Sequence, residues 1–174
     1  MSYGTYRTKT YIAAEWTGDK SAVEQLYKWK NSDHWNFDFV DAHDLTQARD
    51  SSLNCNIKAS LKKRLDVSKT FVLIVGDHTR TVRNGSCQYC PNYNSKNTKC
   101  SHGYSVDYKS YIEYECKKAL DANIKIVVLY NSTYIDKTKC PTIIKNSGEH
   151  IAMLYYQNGE KYWNYTKIKN AIEN

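Results

Sequence analysis

The sequence predicts one α/β domain in which a parallel, five-stranded sheet is covered by helices on both faces. Three observations carry that expectation. The chain has 174 residues, which suits one domain with one core. Five short apolar runs stand out, at residues 10–16, 37–40, 70–75, 124–130 and 151–155. The segments between most of them are long enough for a helix and carry helical spacing. Strands separated by helices do not meet through tight turns, so they pair in parallel through right-handed crossovers.

The elements follow in order. The first strand runs out at Ala13, Ala14, Glu15 and Trp16. A helix is predicted over residues 21–30, where Val23, Leu26, Tyr27 and Lys30 share a face and Asp19 or Ser21 serves as cap. Residues 37–40 (FDFV) form the second strand. Over 56–66, Ile57, Leu61 and Leu65 recur every four residues while Lys58, Lys62 and Lys63 fall away from that stripe, which predicts an amphipathic helix. The third strand is 70–75. The next helix spans about 110–122, and its start is marked by Ser110 and Glu113, the S-x-x-E spacing of a capping box. Ile112, Cys116, Ala119 and Leu120 form its buried stripe, with Glu115 beside it, one turn below Tyr111. The fourth strand is 124–130 and the fifth 151–155. A last helix covers 165–172, with Ile168 and Ile172 inward. Residues 79–109 break the rhythm and are read as an insertion in a single domain spanning 1–174.

Composition sets further bounds. The longest dense apolar run, from Phe71 to Val75, is far too short to cross a bilayer, and the opening MSYGTYRTKT lacks the apolar core of a signal peptide. A cytoplasmic location, with no membrane partner, is therefore expected. The net charge of +7 comes from 25 Lys and Arg against 18 Asp and Glu. These cations are spread along the chain and are densest at Lys62, Lys63 and Arg64, which reads as a solvated helix face, so a nucleic-acid partner is not favoured.

The six cysteines are expected to be reduced. Cys87 and Cys90 have the two-residue gap that lets two thiolates reach one metal, and Cys100 with His102 completes a tetrahedral set suited to structural zinc. A redox pair or idle thiols are equally open readings. Cys55, Cys116 and Cys140 read as ordinary buried or partly buried thiols.

In an open parallel sheet of flavodoxin-like strand order, a ligand sits outside the carboxyl ends of the strands where the order reverses. That rule selects Glu15 and Trp16 after the first strand, residues 41–44 with Asp44 after the second, Gly76, Asp77 and His78 after the third, and Asn131 after the fourth. No G-x-G-x-x-G and no P-loop occurs, which disfavours a dehydrogenase or a phosphate-cradling NTPase.

The succession YIAAEW, FDFVDAHDL, SKTFVLIVGDHT, SYIEYECKKAL and IKIVVLY resembles the TIR-like domains of the ThsB type found in bacterial Thoeris antiphage systems. The resemblance covers residues 10–130. Its most specific parts are the phrase at 68–79 and the aromatic-x-x-x-Glu that opens the helix before the fourth strand. The resemblance implies a TIR fold in which Glu115 holds the catalytic place and Tyr111 stands where the family often has Trp. It implies cleavage of NAD at the nicotinamide-ribose bond, giving a linear, cyclic or conjugated ADP-ribose product as a defence signal read by a downstream effector. NAD is then the substrate, no cofactor is required for catalysis, and self-association is a further expectation. Within that reading Tyr111 lines the wall, and Trp16 or Tyr11 stacks on a ring of the substrate. The Cys-rich insertion and Ala13-Ala14 depart from the family pattern. Three rivals stay open: a nucleoside deoxyribosyltransferase, which also breaks an N-glycosidic bond; a receiver domain with Asp77 as phosphoacceptor, which lacks paired acids for magnesium; and a non-catalytic TIR adaptor.

Overall fold

A computed structural model describes residues 6–40, 53–97, 99–100 and 102–174. Its centre is a parallel sheet of four strands, β1 (Lys9–Ala13), β2 (Ser68–Val75), β3 (Lys125–Tyr130) and β4 (Glu149–Ala152), in the order β1-β2-β3-β4. Successive side chains of a strand point to opposite faces, and here both faces are buried, as a parallel sheet requires. Tyr11, Phe71, Leu73, Ile126 and Val128 face one core layer, which helices α2 (Asn54–Asp66) and α3 (Tyr111–Asp121) close with Leu61, Leu65, Ile112, Cys116 and Ala119. Ile12, Val72, Ile74, Val127 and Leu129 face the other layer. There α1 (Trp16–Lys30) and α4 (Tyr165–Glu173) contribute Ala22, Val23, Leu26, Ile168 and Ile172.

The expected second strand, at residues 37–40, is not formed as such. Residues 37–40 keep the period of two, with Phe37 and Phe39 buried and Asp38 and Val40 exposed, and one backbone bond (Thr10 N to Val40 O, 2.6 Å) ties them to β1. A single bond does not make a ladder, so among the described residues the segment covers the β1 edge without forming a strand of the sheet. The expected strand at 151–155 also divides. Met153 is buried and ends the parallel pairing, and β5 (Leu154–Gln157) turns away to pair antiparallel with β6 (Glu160–Trp163). Asn158 and Gly159, with φ of 51° and 81°, make the turn. Asn-Gly between extended runs is a strong hairpin signal, and the expectation of crossovers alone overlooked it.

Two helix details differ from expectation. The first helix begins at Trp16, five residues before Ser21, and its N-cap is Glu15 instead of Asp19 or Ser21. Lys58 does not fall away from the buried face. It is 5% exposed, and its ammonium reaches Asp107 Oδ2 at 3.0 Å and Lys109 O at 2.8 Å in the insertion. The insertion supplies the cover that the helix pattern alone does not reveal. Among the described residues no helix is long and apolar enough to cross a membrane.

Candidate functional site

A cleft of about 320 Å³ opens at the carboxyl end of β1. Ile12, Ala13 and Ala14 form its floor, Glu15, Trp16 and Thr17 one lip, Ile57, Leu61 and Arg64 of α2 the opposite wall, and Val82 and Asn84 of the insertion part of its roof. Tyr111, Ile112 and Glu115 enter from α3. This is the strand-end position where open parallel sheets hold ligands.

Glu115 lies one helical turn after Tyr111, so both project from the same side of α3. The start of that helix is fixed locally. Ser110 Oγ accepts from Glu113 N at 3.1 Å, and Glu113 Oε2 accepts from Ser110 N at 2.9 Å, the reciprocal pair of the capping box. Glu113 also meets Arg83 at 3.1 Å, outside the cleft lining. The two acids two positions apart thus have different surroundings: Glu113 closes the helix end, whereas Glu115 is 7% exposed and lies in the buried stripe itself. A buried carboxylate needs donors. The hydroxyl of Tyr11, wholly buried on β1, donates to Glu115 Oε1. Tyr11 therefore stands behind Glu115, away from the cleft lining, and is not placed to stack on a substrate ring.

Tyr111 lines the cleft as expected. Its hydroxyl donates to Asn54 Oδ1 at 3.0 Å, and burial pushes its pKa up to about 12, so it is neutral at physiological pH. Its ring lies over Gly85, where φ is +97° and an added Cβ would come within 2.5 Å of Tyr111 Cδ1. Only glycine suits that approach. Trp16 is 51% exposed on the lip and Glu15 stands beside it. The Glu15 carboxylate accepts from Thr17 N at 3.2 Å and Gly18 N at 2.6 Å, so it caps α1 from within the cleft lining. Asp77 stands elsewhere. It is exposed in the turn after β2, and Lys139 Nζ at 2.6 Å holds its carboxyl below the usual range. Asp44 lies outside the described residues.

Cys87, Cys90 and Cys100 do come together, lining a second cavity of about 350 Å³ between α2 and the insertion. Cys55 of α2 joins them, while His102 is exposed and absent from that lining. Among the described residues no group of three or more His, Cys, Asp or Glu is arranged to hold a metal ion. Cys116 and Cys140 are buried thiols as expected.

Two residues escaped the sequence reading. Arg64 is 6% exposed and is the one cation among the described residues of the cleft lining. The run of cations at Lys62, Lys63 and Arg64 reads as solvated, although the place of Arg64 seven residues after Ile57 is on the apolar face of a 3.6-residue helix. Asp19, considered only as a cap, is buried near the carboxyl ends of β2 and β3. Burial raises its pKa most, against the lowering by Asn131, and nearby Glu15 raises it further.

Residues 5–84 match the family described as Thoeris protein ThsB, TIR-like domain. The match takes in β1, α1, α2 and β2 and ends before Tyr111 and Glu115. No curated protein matches the chain.

Proposed function

We infer that this chain, a TIR-like protein of the ThsB type found in Thoeris antiphage defence, breaks the bond between nicotinamide and ribose in NAD. The observation that carries this reading is the buried Glu115 at the strand-end cleft, with the Tyr11 hydroxyl on one of its oxygens.

The chemistry needs little else. As the ribose C1′–N bond breaks, its electron pair goes to the pyridinium nitrogen, so nicotinamide leaves neutral and the general acid of an ordinary glycosidase is dispensable. Positive charge develops on the ribose. A carboxylate held in a mostly apolar cleft stabilises that charge more than water does, because it is already oriented. Tyr11 donates to Oε1 of Glu115 from the sheet side, and the carboxylate stands in the lining of the cleft that would take the sugar. The ADP-ribosyl unit then bonds to water or to a nucleophile of its own adenine end, with loss of a proton, and the product is the signal that an effector reads. Trp16 on the lip offers a ring face to a base.

Purified protein incubated with NAD, alone and with extract of phage-infected cells, tests the reading by mass spectrometry of the small molecules. Nicotinamide and an ADP-ribose-derived product are expected in at least one condition. NAD left intact in both would overturn it. Turnover that depends on an added free base would instead indicate a deoxyribosyltransferase.

Two variants probe the roles within the cleft. Tyr11→Phe removes a hydrogen bond to a charged group, a contribution of about 1.5–3 kcal/mol, and kcat should fall roughly ten- to a hundredfold with little change in KM. An unchanged kcat would leave Tyr11 as packing alone. Trp16→Ala removes an exposed stacking surface, and calorimetry should show NAD binding weakened about tenfold, the lower end of what one base-aromatic stack contributes. Equal affinity in variant and parent would take Trp16 out of the site.

A further inference from the structure

The first turn of α1 forms one lip of the cleft, yet the helix itself does not fix its direction. Asp19 has non-helical angles (φ −109°, ψ 15°), so the turn holding Trp16 and Gly18 is jointed to the rest of α1 at that residue. Helices kink at identifiable causes. Here Asp19 turns inward and is 2% exposed.

Three contacts anchor it to the ends of the sheet. Asn131, which follows β3, donates through Nδ2 to Asp19 Oδ1 at 3.0 Å. Thr79 Oγ1 lies 3.5 Å from Asp19 Oδ2 and accepts from Gly76 N at 2.8 Å. Gly76, which follows β2, has no side chain because the carboxylate fills that space: a Cβ there would stand 2.0 Å from Asp19 Oδ1. Gly76 and Thr79 of the 68–79 phrase thus serve Asp19. Asp19 N in turn donates to Glu15 O at 2.9 Å, which ties the joint to the cap of the same turn.

We propose that Asp19 is a positioning residue for substrate binding: by seating the joint of α1 on Gly76, Thr79 and Asn131, it sets where Glu15 and Trp16 stand on the cleft lip. It touches neither Glu115 nor Tyr11, so its effect falls on binding and not on bond cleavage. A buried acid between Glu15 and Asp77 is an expensive anchor. Its retention is accounted for by geometry: a side chain of this length with two acceptor oxygens reaches both Asn131 and Thr79.

The proposal rests on the NAD-cleaving reading, and the test separates the two. Steady-state kinetics on NAD for Asp19→Ala should show KM raised about tenfold, with kcat within about twofold of the parent, since small displacements of positioning groups carry costs of this order or more. Asp19→Asn should restore KM to within about threefold, because its amide still accepts from Asn131 and still fills the space over Gly76. Unchanged KM in Asp19→Ala, a fall confined to kcat, or Asp19→Asn as impaired as Asp19→Ala would each overturn it. If Asp19→Ala does not fold, Asn131→Ala takes its place and should raise KM in the same direction. Should the parent fail to cleave NAD, the functional reading falls and hydrogen exchange decides the positioning role. The amides of Thr17 and Gly18 should exchange faster in Asp19→Ala than in the parent, and equal protection would overturn the proposal.

Discussion

Glu115→Gln should lower NAD cleavage by on the order of a hundred- to a thousandfold, the usual cost of losing one preorganised electrostatic group at a reacting centre. Glutamine keeps the size of the side chain, and its amide oxygen still accepts from the Tyr11 hydroxyl. The negative charge facing the developing cation is lost. Glu113→Gln is the matched control. Its carboxylate closes the capping box and meets Arg83 at 3.1 Å outside the cleft. Glutamine serves in that box as well, so the loss should be about 1 kcal/mol of stability at most, with activity retained. Nicotinamide release, with circular dichroism as a check on folding, measures both. An active, folded Glu115→Gln protein would mean that another group or another chemistry is at work.

Trp29→Ala should be the costliest of the simple substitutions for stability, at about 3–5 kcal/mol. Trp29 is 2% exposed in α1 and is ringed by Phe37 at 6.0 Å, Trp35 at 6.3 Å, Trp163 at 6.4 Å and Tyr165 at 5.1 Å between ring centroids. It joins α1 to the segment that covers β1, to β6 and to the start of α4. Emptying that position leaves a void shared by four elements. Against a typical total of about 5–15 kcal/mol, the loss should move the urea midpoint markedly. A shift equivalent to less than about 1 kcal/mol would show that the aromatic cluster does not close around Trp29.

Elements whose cause is local were legible in the sequence. The strands at 9–13, 68–75 and 125–130 follow from apolar runs bounded by polar residues, and α3 from the S-x-x-E spacing that its cap realises. The Asn158-Gly159 hairpin is equally local, and the expectation of a fifth parallel strand does not contain it. The N-terminus of α1 was harder. Glu15 is an uncommon cap, and the buried Asp19 breaks the helical pattern where the helix begins. Within the site, Trp16, Glu15, Tyr111 and Glu115 were placed together by the strand-end rule and the resemblance, and all four line one cleft. Asp77 follows the same rule and does not line it; its exposed carboxylate meets Lys139, from a distant loop, at 2.6 Å.

By itself, the sequence determined the strands β1, β2 and β3, the helices that flank them, the two apolar faces of the sheet and the cap of α3. The tertiary structure alone decided that Tyr11, 104 residues away, donates to Glu115, that Arg64 and Lys58 are buried while Lys62 and Lys63 are exposed, and that the buried Asp19 accepts from Asn131. Period and capping depend on residues within one helical turn or one strand, where the chain fixes the distances. Burial of a polar group depends on which distant element covers it and brings the donor, and spacing along the chain carries no record of that.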